Sequence, residues 1–167
     1  MAYIQVKNKS GQKVDLSNVG QKLKPFFGLV PKDKYPIKVT ILKKKGHFDR
    51  STFDLGSSQL VFKCDTDKQP QEEIEWVFAH EFAHFLCLHN PELKKTTLSK
   101  EYDALQWILR KVFRVNDTQL QEVFHDFLPP EVFANGFATM LVGKFYKRHS
   151  YKLVYQTLKA KFVNGKK

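Results

Sequence analysis

Residues 71–88 constrain the fold of this chain more than any other stretch. Pro70 precedes them and Pro91 follows closely, and proline suits the first turn of a helix but not its interior. Glu72, Glu73 and Glu75 load the first turns with the charge that a helix N-terminus favours. Trp76, Val77, Phe78, Phe82 and Phe85 then supply large apolar side chains, so the pattern predicts a helix buried in a core, and such a helix needs other layers packed around it.

The residues before it read as a small sheet. Residues 3–7 alternate like a short strand, and residues 17–27 suit a short helix ended by Pro25 and Gly28. Ile37, Val39 and Ile41 alternate with Lys38, Thr40 and Leu42, and Lys43, Lys44 and Lys45 mark a solvated strand end. A turn region around residues 46–50 follows, and Gly56, Ser57 and Ser58 introduce a further strand over residues 59–64. Beyond the central helix, Ser99 is placed to cap a helix running to about Val115. Thr118 with Gln121 makes a capping-box pattern for another that ends before Pro129 and Pro130. A fourth is expected from Pro130 to about His149, and a fifth from Tyr151. This order predicts an α+β fold, a small antiparallel or mixed N-terminal sheet followed by a helical half.

The length of 167 residues suits one domain. It divides into a basic β-rich part over residues 1–65, a helical part over 70–149 and a basic tail over 150–167. A hydrophobic content of 42%, with 15 Phe, excludes wholesale disorder. The net charge of +11 is uneven: residues 1–45 carry +9 and residues 144–167 carry +8, whereas residues 46–143 carry −6. Cys64 and Cys87 form no framework of the kind that secreted domains use, which favours a reducing compartment. No signal-peptide pattern and no run approaching roughly 18 apolar residues is present, so a soluble, cytoplasmic protein without membrane contact is expected.

Inside the central helix stands His80-Glu81-Phe82-Ala83-His84. Positions i and i+4 lie about 40° apart around a helix, so both imidazoles can point to one metal ion with Glu81 beside them. The geometry suits Zn²⁺, with Glu81 as the base that handles a water's proton. Catalytic zinc needs a third protein ligand and an open position. His89 sits about 140° around the helix from His84 and reads as a surface histidine. Cys87 lies near the histidine face but reads as a small buried hydrophobe. Among later carboxylates, Glu131 shares a helical face with Ala134, Asn135 and Ala138. The small alanines permit close approach and Asn135 is placed to orient a ligand. Glu101 and Asp103 are the alternatives, with Leu105 where the amide would be wanted.

HEFAH on a helix after a strand, followed by Glu131-Val132-Phe133-Ala134-Asn135, resembles the ImmA/IrrE-type small gluzincin metallopeptidases, which bacteria, phages and mobile elements often encode. The likeness spans about residues 60–142. It implies a zincin-like domain, zinc held by His80, His84 and Glu131, Glu81 as general base, and a protein or peptide as substrate. The chain departs from the family pattern by a long insertion between His84 and Glu131 and by lacking Leu-Leu-Met-Pro after the alanine. A Tyr or His usually completes the oxyanion site in such enzymes, and His125, Tyr146 and His149 are the candidates. The strand over residues 59–64 is expected to receive the substrate backbone as an edge.

The basic ends interleave cations with Phe145, Tyr146, Tyr151 and Tyr155, a mix able to bind nucleic acid. Two rivals to the peptidase therefore stand: a DNA-associated protease resembling the SprT-like group, and a non-catalytic zinc-stabilised binding protein.

Overall fold

The computed structural model describes residues 3–46, 49–54, 58–97, 100–111, 114, 116, 124–125 and 128–144. In chain order these form β1 (Ile4–Asn8), α1 (Ser17–Leu23), two 3-10 segments (Lys24–Leu29 and Lys32–Lys34), β2 (Ile37–Lys43), β3 (Thr52–Asp54) and β4 (Gln59–Cys64). The helices α2 (Gln71–His89), α3 (Pro91–Thr97), α4 (Lys100–Lys111) and α5 (Pro129–Val142) follow. The fold is α+β, as the order of patterns predicts. No helix among the described residues is long and apolar enough to cross a membrane.

The sheet is mixed, in the order β1-β2-β4-β3. β1 and β2 pair in parallel with Val6 opposite Val39, β2 and β4 in parallel with Ile41 opposite Phe62. β3 runs antiparallel to β4 with Phe53 opposite Leu60. Alternation does the sorting: Ile37, Val39 and Ile41 of β2 and Leu60, Phe62 and Cys64 of β4 are buried, while Lys38 and Gln59 face solvent. One expectation is corrected here. β4 is not an edge; β2 takes one side of it and β3 the other. The sequence hides β3 because three residues are too few to show a period.

α2 lies between two partners. Phe78 meets Phe62 of β4 edge to face at 5.3 Å, and Phe85 meets Phe53 of β3 at 5.5 Å. On another side α2 makes the most extensive helix pairing among the described residues, with α5. There Trp76 Nε1 donates to Thr139 Oγ1 at 3.1 Å and Phe82 packs near Phe137. Trp76, Phe82 and Phe85 are each at most 2% exposed, and burying a side chain of this kind contributes about 1.5–3 kcal/mol. A polar corner sets where α2 begins. Gln12 Nε2 donates to Asp65 Oδ1 at 3.1 Å and to Asp67 Oδ2 at 2.9 Å, and the Asp65 amide donates to Gln69 Oε1 at 2.9 Å. Asn18 Nδ2 donates to Glu75 Oε2 at 2.6 Å, tying α1 to α2.

Helix ends differ from expectation for local reasons. α1 stops at Leu23 and the chain tightens into a 3-10 segment around Pro25, because a proline cannot supply the next helical amide. Pro91 ends α2 but also opens α3, which the sequence reading passes over. Asn90 Oδ1 accepts from the amides of Glu92 at 3.1 Å and Leu93 at 3.0 Å, a side-chain cap for the new helix. The described part of α4 runs to Lys111, and Arg114, with φ 51, is no longer helical, so the helix is broken before Val115. α5 ends at Val142 instead of near His149, where Gly143 takes φ 83 and its amide donates to Thr139 O. The Ser99 cap, the helix expected from Thr118, the helix expected from Tyr151, Tyr146 and His149 lie outside the described residues.

Candidate metal centre

α2 carries His80 and His84 one turn apart, and α5 brings Glu131 against them from its first turn. His80 Nε2 and His84 Nε2 are 3.1 Å apart. The Glu131 carboxylate lies 3.2 Å from His80 Nε2 through Oε2 and 3.1 Å from His84 Nε2 through Oε1. One ligand atom from each of the three residues thus lies within 4.8 Å of the other two, with the two carboxylate oxygens each facing one imidazole. A tetrahedral zinc with ligands at about 2.0–2.1 Å has edges of about 3.3 Å, a separation that the His80 and His84 nitrogens approach at 3.1 Å and that each imidazole approaches with one of the two carboxylate oxygens. The residues fit the metal.

The surroundings fix each side chain. Trp76 stacks on His80 with ring centroids 5.4 Å apart and planes at 24°, while its own N–H is held by Thr139. Ala134 and Ala138 are fully buried and Asn135 is 2% exposed, so the face of α5 that bears Glu131 turns inward as expected. The side chains of His80 and Glu131 are each 7% exposed, His84 is 20% and His125 is 29%. The centre is thus closed towards the core and open on the His84 and His125 side. Glu81, next to His80, is half-buried.

Burial pushes the Glu131 carboxyl up, but hydrogen bonds from His125, His80 and His84 outweigh it and hold the group well below the usual carboxylate range. It is a buried anion, which is the form a cation needs. His125, six residues before Glu131 in the chain, places Nε2 3.1 Å from Glu131 Oε1. Sequence reading names His125 only as one of three candidate oxyanion donors. Neither helical spacing from His80 and His84 nor the run that begins at Glu131 marks it.

Cys87, His89 and Asp103 stand apart from the centre, and the Glu101 side chain lies outside the described residues. Among the described residues the donor group is His80, His84 and Glu131, with neither Cys87 nor His89 in it. The His89 ring packs on Phe85 at 4.8 Å, and burial together with the charge of Lys34 pushes its pKa down. Asp103 is exposed on α4, and Glu101 lies in the first turn of that helix. Cys64 and Cys87 are both buried and unbridged. Burial, then the charge of Asp65, push the Cys64 thiol up to about 11.

Comparison with protein-family models, with curated proteins and with solved structures finds no match for this chain.

Proposed function

We propose that the chain is a zinc-dependent metallopeptidase of the gluzincin kind, with His80, His84 and Glu131 as metal ligands and a protein or peptide as substrate. The observation that carries this reading is the convergence of two imidazole nitrogens 3.1 Å apart on a buried carboxylate whose oxygens lie 3.2 and 3.1 Å from them, assembled from an HExxH helix and a second helix. The resemblance to ImmA/IrrE-type peptidases rests on the same residues. Zinc, when bound, supplies Lewis-acid polarisation of a carbonyl and acidifies water. Glu81 takes the proton from the attacking water and returns it to the departing amine. Trp76 and Thr139 hold the His80 ring in place, and the more exposed His84 side is where an extended peptide has access. Two buried thiols without a bridge suit a reducing compartment such as the cytoplasm.

The test is metal analysis and peptide hydrolysis on the wild-type protein and two variants. Glu81→Gln is expected to retain stoichiometric zinc and to lose hydrolysis by at least about 100-fold, as removal of a general base does. His80→Ala is expected to lose the metal. Zinc retained in full by His80→Ala would sink the site. Undiminished biological activity in Glu81→Gln would favour a non-catalytic binding protein.

A further inference from the structure

Glu131 has more imidazole around it than the donor group uses. His125 Nε2 is 3.1 Å from Glu131 Oε1, yet the donor atoms that gather within 4.8 Å of one another come from His80, His84 and Glu131. His125 is fixed to the helix that carries Glu131: its carbonyl accepts from the Leu128 amide at 3.0 Å, and the Leu128 carbonyl accepts from the Glu131 amide at 2.8 Å. Its Nδ1 is buried and has no hydrogen-bond partner among the described residues. A buried orphan N–H is rarer in proteins than an under-used acceptor, so the neutral ring carries its proton on Nε2, aimed at the carboxylate. His80 and His84 cannot do the same in the loaded protein, since an imidazole that gives a lone pair to a metal has no proton on that nitrogen. His125 alone of the three keeps its donor when the metal is in place.

We propose that His125 is a positioning residue of the metal centre, holding Glu131 Oε1 through Nε2–H so that the carboxylate keeps its aim at the ion. The proposal rests on the metal-site reading above. Ligand carboxylates held by such outer hydrogen bonds lose about 10- to 100-fold in metal affinity when the partner is removed.

The test is Zn²⁺ and Co²⁺ affinity of the purified full chain, with the visible Co²⁺ spectrum, for wild type, His125→Ala, His125→Gln and His80→Ala. His125→Ala is expected to weaken both metals by about 10- to 100-fold, with a shifted Co²⁺ band. His125→Gln places an amide N–H where Nε2–H stood and is expected to restore most of the affinity and the wild-type band. His125→Ala binding as tightly as wild type, with His80→Ala binding none, overturns the role of His125 and leaves the metal site standing. His125→Gln as weak as His125→Ala also overturns it, because a donor at that place is then not what the site needs. Wild type that takes up no metal, or His80→Ala that binds as wild type does, overturns the metal site and this proposal with it.

Discussion

Ala138→Leu is the substitution that most directly tests how the centre is assembled. Ala138 is fully buried and lies two helical turns after Glu131, on the same face of α5. Leucine adds three carbons where no space is left, and overpacking of this kind costs about 1–3 kcal/mol. At about 2–4 °C per kcal/mol for a chain of this size, the unfolding midpoint of the metal-free protein falls by about 2–12 °C. The second effect is functional. Relief of the clash moves α5 away from α2, and a retreat of only about 1 Å is the scale at which a preorganised site loses its geometry. Donor separations of 3.1 and 3.2 Å then exceed the edge of about 3.3 Å that tetrahedral zinc tolerates. Metal affinity is expected to fall by at least about 10-fold. Thermal unfolding by circular dichroism and Co²⁺ titration measure the two effects, with Val132→Ala as control. Val132 is 49% exposed on the same helix, and surface changes of that kind stay within about 0.5 kcal/mol. An Ala138→Leu protein that melts and binds metal like wild type would refute the claim that small residues on α5 set the approach of Glu131.

Further expectations follow from the same contacts. Phe85→Ala, at a fully buried ring between Phe53, Phe82 and His89, should cost about 3–5 kcal/mol in urea unfolding; a loss under about 1 kcal/mol would contradict the packing of α2 on the sheet. Gly143→Ala should destabilise by roughly 1 kcal/mol, because φ 83 is strained for any side chain; unchanged stability would count against this end to α5. The hydrogen bond from Gln12 holds the Asp65 carboxyl below its usual value, with the Asp67 amide and the charges of Lys43 and Lys68 acting the same way against burial. A depressed folded-state pKa stabilises above the unfolded value and is lost as pH falls through the folded one. Asp65→Asn should therefore lose less stability than wild type on acidification below about pH 4; an identical acid profile would refute the assignment. Cys64 and Cys87 should resist alkylation by iodoacetamide near neutral pH until the protein unfolds; rapid labelling of either in the native state would contradict their burial.

The fold was legible where side-chain period and punctuation agree. β4 was read with its limits intact, and α2 differs by one residue, since alternation in one and two prolines around the other leave little freedom. β3 was invisible because three residues carry no period, and its absence made β4 look like an edge. Asn90 and Pro91 carry a helix start as well as a stop, and the start becomes visible only in the amides that Asn90 Oδ1 caps. At the candidate centre, His80 and His84 follow from helical spacing. Small neighbours on its own helical face favour Glu131 while leaving Glu101 and Asp103 open, and the structure gathers His80, His84 and Glu131 into one donor group among the described residues. His125 carries no comparable signal, because it belongs to neither the HExxH run nor the run that begins at Glu131.

The shortness of β3 limits what backbone pairing can offer a bound chain. Successive residues of a strand turn their N–H and C=O groups to opposite sides, so a strand of three residues presents to its open side the groups of only one or two. An extended peptide lying against Thr52–Asp54 gains few main-chain hydrogen bonds, and each contributes only about 0.5–1.5 kcal/mol net. For the peptide substrate proposed above, discrimination between sequences at that edge would then come from side chains and the pockets that receive them, and a chain with suitable side chains would be favoured over one that is merely extended.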